Sequence, residues 1–367
     1  MKQLLAYCLS IILCVSFTGC MENYLDLYPE DKITSASFPE NESDIKLLLN
    51  GVYAQLREKE VYNQGLFGFG ITDGATPNAF NWGTDEVFNK LGAGRLSSSD
   101  GGVVTYRWKR CYEIISRANY LLACMDLVDL SEEAKAKYSG ETHFLRGLAY
   151  SVLAETYGGV PIILTDISTE EARSLKRASL EETWQQALDD YEVAITNLGV
   201  DAPEPGRATK GAALGMKMRA YLYQGKYKEV LSCVEQIDAL KKYGLFHSYE
   251  GLFDPANENN KEVLFDIQYI EGENSQGSYI DQYCGTGTGS WTRGSRYVPT
   301  DDLVAAYETI DGSPVDPDNP YENRDPRLGF TAVLPGSYFL GYRFPNYLYP
   351  GGAFNHAGNR LKHLSTR

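Results

Sequence analysis

Histidine is scarce in this 367-residue chain, which has only His143, His247, His356 and His363. None of the four has metal-ligand spacing, so each reads as a surface or packing residue. HExxH, GxSxG and P-loop motifs are missing, and with them the common metalloprotease, hydrolase and nucleotide signatures. Gly285 to Ser290 is glycine-rich but lacks both GxGxxG spacing and a strand-loop-helix setting. Asp311 to Asp318 is acidic, but its prolines break any EF-hand register. No cofactor or metal motif results. Positive charge is short too: 34 Lys and Arg face 49 Asp and Glu, for a net charge of -15. A nucleic-acid binder needs a basic footprint, so that class is excluded, and charge alone would not hold the chain on anionic lipid. Cysteines after residue 19 are Cys20, Cys111, Cys124, Cys233 and Cys284, with no CxxC pair and hence no zinc or redox motif. The longest apolar run, Leu4 to Phe17, is shorter than the roughly 20 residues of a membrane span. No low-complexity linker divides the chain, so a single domain is expected after the leader.

What is present begins with export. Lys2, the apolar run and Thr18-Gly19-Cys20 have the order of a lipoprotein signal peptide over residues 1–19, which makes Cys20 the expected site of lipidation. Each buried acyl CH2 adds about 0.8 kcal/mol, so several chains would anchor the protein. Residues 22–39 read as an extended polar strap. Helical spacing then appears at Ile45, Leu49, Val52 and Leu56, and again over Val104–Leu127. The strongest pattern runs from Ser131, an N-cap, through Leu145, Leu148, Ala149 and Val152 to Gly158-Gly159, where the helix stops. Arg173–Ser179 reads as a polar connector. Further helices are expected from Leu180 to about Leu198, Arg207 to Tyr223 and Lys226 to Lys241, the last two joined at Gln224-Gly225. Glu262–Gln268 alternates like a short strand, and Asp301–Glu308 reads as a short helix. The fold class is all-α, with tetratricopeptide-like helix pairs, long irregular loops and a few short strands.

Five stretches, in order, resemble the SusD/RagB family of outer-membrane lipoproteins of Bacteroidetes. They are Leu49-Asn50-Gly51-Val52-Tyr53; Trp108, Tyr112, Ile115 and Ala118-Asn119; Arg146 to Tyr150 with Tyr157-Gly158-Gly159-Val160-Pro161; Ala212-Ala213 with Arg219 to Leu222; and Asn323-Arg324-Asp325-Pro326-Arg327. The last is the most specific. Family members continue well past the point at which this chain ends, so residues 20–367 read as a single SusD-like domain lacking the usual C-terminal part.

Two loop stretches, 59–104 and 271–299, combine glycine and polar residues with aromatic rings. A sugar offers an apolar C–H face and a hydroxyl rim; planar rings stack on the face, while amides, carboxylates and guanidinium hold the rim. Trp82 and Trp291 are the leading stacking candidates, followed by Tyr279 and Tyr283, with Asp73, Asn78, Asn81 and Arg95 as polar partners. The alternative for each ring is packing of its loop onto the helices. Trp108 and Trp184 lie on helical patterns and read as core. The resemblance implies a surface protein that is not an enzyme. It would capture oligosaccharides, or in some members peptides, and pass them to a SusC-like TonB-dependent outer-membrane transporter. Two other classes stay open on the residues alone. A secreted hydrolase would need a positioned carboxylate pair, and no spacing selects one. A helical-repeat scaffold or adhesin would need a concave protein-binding face.

Overall fold

A computed structural model describes residues 38–58, 73–81, 90–97, 99–269, 297–339 and 342–343. The leader, Cys20 and the strap before residue 38 lie outside these residues, as do Cys284, His356 and His363.

Helix α1, Glu42–Ala54, starts at Asn41, whose side chain accepts the Asp44 amide at 3.2 Å. Glu42 and Asp44 place negative charge in the first turn, where the helix dipole favours it. Ile45, Leu49 and Val52 are buried, as their spacing predicts. Helix α2, Val103–Cys124, buries Cys111, Ile114, Ile115, Ala118 and Leu121. It ends three residues before Leu127, because residues 125–127 leave the helix as a turn.

Helix α3, Glu132–Tyr157, is the centre of the molecule. The Ser131 hydroxyl accepts the Ala134 amide at 3.1 Å, and the helix stops at Gly158, whose φ is 75°. From Tyr138 to Ala154 nearly every residue is buried, since α2 packs on one side and α5, Leu180–Asn197, on another. A helix enclosed on several sides has no solvent stripe, which is why its apolar face reads wide in the sequence. Helix α6, Lys210–Tyr223, packs on α5 through Ala212 and Ala213, and α7, Tyr227–Ala239, packs on α6. Each of the longer helices, α1, α2, α3, α5, α6 and α7, meets the next of them along the chain, as expected of tetratricopeptide-like pairs.

Arg146 does not face solvent. Its Nε donates to both Asp190 oxygens (3.2 and 3.1 Å), its Nη2 to Oδ1 at 2.7 Å, and its Nη1 to Asn119 Oδ1 at 2.8 Å. The Arg146 and Asp190 side chains are 7% and 2% exposed. Asn119 passes the contact on, donating to the carbonyls of Ile163 (3.0 Å) and Thr165 (3.2 Å). Tyr150 donates its hydroxyl to the Ile163 carbonyl and accepts the Ile163 amide, while Tyr112 donates to the Pro161 carbonyl at 2.7 Å. These side chains satisfy the carbonyls of Pro161, Ile163 and Thr165 and the Ile163 amide, in a segment that has no sheet partner among the described residues.

Two local expectations are corrected. Part of the polar connector is helical: α4, Thr169–Ser174, opens with a capping box between Ser168 and Glu171. Glu262–Gln268 forms no strand; it passes through a turn at Glu262 and a bend at Leu264, and Phe265 and Ile267 pack against the core, Phe265 edge-on to Phe144 at 4.9 Å. The alternation there reports packing against helices on one side. Trp184 is buried, and Trp108 is half-buried between Tyr112 and Tyr157.

Short strands complete the structure. β1, Ala79–Asn81, pairs antiparallel with β2, Tyr297–Pro299, and β3, Tyr338–Phe339, with β4, Tyr342–Arg343. Two short helices, α8 (Asp301–Ala306) and α9 (Arg327–Thr331), lie between β2 and β3. No described helix is long and apolar enough to cross a membrane.

Candidate functional site

The two aromatic stretches are joined where β1 meets β2. Ala79 lies opposite Pro299, Phe80 opposite Val298, and Asn81 opposite Tyr297. Asn81 is the last described residue before 82–89 and Tyr297 the first after 270–296, and these two residues face each other at one end of the sheet. Val298 is buried, so the pair is seated on the body of the molecule. At the other end the Thr300 amide donates to the Asn78 carbonyl at 3.0 Å, and the Thr300 hydroxyl donates to the Pro77 carbonyl. That same hydroxyl accepts the Leu303 amide at 3.1 Å and so caps α8.

A third segment meets this junction. A Cβ on Gly92 would stand 3.1 Å from the Ala75 carbonyl oxygen, so the backbones of 73–76 and 90–94 run in close contact. Lys90 Nζ donates to Asp100 Oδ1 at 2.8 Å, and the Ser97 amide to Asp100 Oδ2 at 2.7 Å. These bonds hold the Asp100 carboxyl at about 2, below its ordinary value, with the Lys90 contact as the largest cause.

Of the predicted site residues, Asp73 and Asn78 are exposed in the turn leading into β1, Asn81 ends that strand, and Arg95 is exposed just past Gly92. The structure therefore brings the segments carrying these four to one junction. Trp82, Tyr279, Tyr283 and Trp291 lie outside the described residues.

The Asn323–Arg327 turn closes α8 from below. Asn323 adopts φ 54°, which asparagine tolerates better than most residues, and its carbonyl accepts the Ile310 amide at 2.9 Å. Arg324 is buried and spends its guanidinium on backbone carbonyls: Nε to Tyr307 at 3.0 Å, Nη1 to Pro320 at 2.7 Å and Nη2 to Val304 at 2.5 Å, with Nη2 also reaching Tyr307. The Val304 carbonyl, which also accepts the Tyr307 amide at 3.3 Å, and the Tyr307 carbonyl lie at the C-terminal end of α8, where positive charge is favoured. Asp325 Oδ1 accepts the Arg327 amide at 2.9 Å at the start of α9, and Pro326 is the N-cap. Each residue of the motif thus has a backbone task.

A family described as starch-binding and associating with the outer membrane matches residues 23–222, and the SusD family matches residues 261–362. The chain belongs to the SusD family. Among its relatives, SusD-like protein P25 of Formosa agariphila is 26% identical over 321 residues, covering 81% of this chain and 58% of that protein. A SusD-like protein of Bacteroides ovatus is 23% identical, covering 69% of this chain and 48% of its own length. In three dimensions the fold matches a SusD-like carbohydrate-binding protein of Bacteroides fragilis with a TM-score of 0.73 and 27% identity, over 82% of this chain and 61% of that one. A laminarin-binding SusD-like protein shares the fold at a TM-score of 0.58 and 21% identity, over 70% and 55% of the two chains. This SusD-family chain therefore spans less than two thirds of these relatives.

Sequence reasoning missed three features. The contacts of Thr300 with Pro77 and Asn78 gave no signal, because those partners are more than 220 positions away. A polar cluster lies within the helical body: the Tyr53 hydroxyl donates to Glu141 at 2.7 Å and accepts the Ala208 amide at 2.9 Å, with Arg207 Nη1 at 3.6 Å from Glu141. Burial raises the Glu141 carboxyl above its ordinary value, although the Tyr53 bond and Arg207 act to lower it. Beside this cluster, concavities of about 320 and 230 Å3 flank the Glu204–Arg207 turn, and neither draws a residue from 73–100 or 297–339. Third, Tyr249, Phe253 and Phe330 form an exposed ring group, with centroids 5.5 and 6.1 Å from Tyr249. Among the described residues no group of His, Cys, Asp and Glu is arranged to hold a metal ion.

Proposed function

We propose that this protein is a lipid-anchored oligosaccharide-binding protein of the outer membrane that delivers its ligand to a SusC-like TonB-dependent transporter, without cleaving it. The observation that carries the reading is the β1–β2 junction. It sets the flanks of both aromatic stretches opposite each other and gathers Asp73, Asn78, Asn81 and Arg95 around them. Family membership supports the ligand class, as does the description of a similar Bacteroides fragilis protein as carbohydrate-binding. In this reading Trp82 and Trp291 stack on sugar faces, Tyr279 and Tyr283 extend the platform, and the four polar residues hold hydroxyls. Cys20 carries the lipid.

The test is a glycan array followed by calorimetric titration of a bound oligosaccharide. Trp82→Ala and Trp291→Ala each remove a ring contact worth about 0.5–1.5 kcal/mol beyond buried area, with unfolding unchanged. Sugar affinities in the millimolar to micromolar range correspond to about -4 to -8 kcal/mol, so loss of one ring removes much of the signal. Phe253→Ala is the control and binds as the wild type does. If Phe253→Ala weakens binding and the two Trp variants do not, the site lies on the Tyr249 ring group. New reducing ends after long incubation at stoichiometric protein would overturn the non-enzymatic reading.

A further inference from the structure

The Asn323–Arg327 turn is the most family-specific motif in the chain, yet its buried arginine, Arg324, donates to backbone carbonyls. Its connections lead to the junction. Arg324 holds the carbonyls of Val304 and Tyr307 at the end of α8. At the start of α8, Thr300 both caps the helix and donates to the Pro77 carbonyl. α8 has six residues, little more than one turn and a half, so its two ends are mechanically one unit. An isolated helix of that length is not stable in water, and its order depends on what holds its ends. The β1–β2 ladder has three residue pairs and is equally unable to stand alone. Each short element is therefore secured by the other, and Arg324 is the buried group that ties the end of α8 to the turn at Pro320.

We propose that Arg324 is a positioning residue of the site: through α8 and Thr300 it fixes β2 on β1 and so sets the placement of the segment that carries Asn78 and Asn81. The effect on sugar binding rests on the glycan reading above; the effect on the junction does not. Arginine is required because a planar fork reaches three carbonyls at once, whereas the single ammonium of lysine cannot reproduce that geometry.

The experiment compares wild type with Arg324→Lys, Thr300→Val and Thr300→Ser by hydrogen exchange and by titration with an oligosaccharide found on the array. In Arg324→Lys and Thr300→Val, peptides covering 79–81 and 297–300 lose at least about tenfold in protection, while those of α3 and α5 exchange as in wild type. Affinity falls in parallel, by about tenfold or more, and Thr300→Ser, which keeps the hydroxyl, restores both. A purely structural role would lower protection throughout and leave the affinity of the remaining folded fraction unchanged. Retained protection of the two strands in Arg324→Lys would overturn the proposal, as would lost protection with unchanged affinity. Should Arg324→Lys fail to fold, Thr300→Val decides the same question from the other end of α8. A wild-type protein that binds no oligosaccharide refutes the glycan reading, and the exchange arm still decides whether Arg324 governs the junction.

Discussion

Replacing Arg146 by methionine tests the account of the helical core most directly. The side chain is 7% exposed, and its guanidinium makes four hydrogen bonds, three to Asp190 and one to Asn119. Methionine keeps much of the aliphatic volume but leaves the Asp190 carboxylate, 2% exposed, without its cation. Breaking one partner of a buried ion pair costs about 3–5 kcal/mol, most of it the penalty of an uncompensated buried charge. Asn119 also loses the donor to its Oδ1, which loosens its hold on the carbonyls of Ile163 and Thr165. The expected result in urea unfolding, followed by tryptophan fluorescence, is a loss of about 3–5 kcal/mol with the slope preserved. The double variant Arg146→Met, Asp190→Leu removes both charges and recovers most of that loss, giving a large coupling energy in the cycle. A loss below about 1 kcal/mol in the single variant would refute the reasoning. So would a double variant as unstable as the sum of the singles.

Three further outcomes follow from the same geometry. Gly147→Ala places a methyl 3.0 Å from the Tyr191 ring and 3.1 Å from the Ala187 carbonyl, so α3 and α5 must separate. Overpacking of about 1–3 kcal/mol should outweigh a helix-propensity gain of about 1 kcal/mol, and the variant should unfold at lower urea. Asp100, Asp311 and Asp325 are held at about 2 by bonds led by Lys90, Ser313 and Arg327 respectively. Because their folded values are depressed, the stability they lend is present above the ordinary carboxylate value of 3.8 and is lost as pH falls through about 2. Asp325→Asn should flatten the acid limb between those values, and an unchanged limb would contradict the assignment. Cys20→Ala should move the protein from the membrane to the soluble fraction in detergent-free fractionation; full membrane retention would disprove the anchor.

The helical body was legible because its signals are local. Ser131, the spacing of Leu145, Leu148 and Val152, and the stop at Gly158 each act within a few positions, and the structure follows them. Where the reading failed locally, a signal was present. Ser168 and Glu171 are a capping box, and that pattern alone marks the start of α4. The sequence around Arg146 carries no sign of its buried ion pair, because its partner, Asp190, is 44 positions away. The alternation of Glu262–Gln268 fits a strand equally well until its neighbours are known to be helices. The junction was illegible for the same reason on a larger scale. The three residues of β1 carry no strand pattern of their own and are defined by a partner at the far end of the chain.

That distance orders the assembly of the molecule. α2, α3, α5, α6 and α7 each pack on a neighbour close in sequence, so their contacts close short loops and form early. Pairing Ala79 with Pro299 closes a loop of about 220 residues for a return of three residue pairs, and the entropy of that closure is offset only after the helices have drawn the two segments together. Among the described elements, the β1–β2 junction is therefore the last to become native. On the proposed glycan reading, capture of ligand reports completed folding, and a helical body that is already compact and spectroscopically folded does not yet bind.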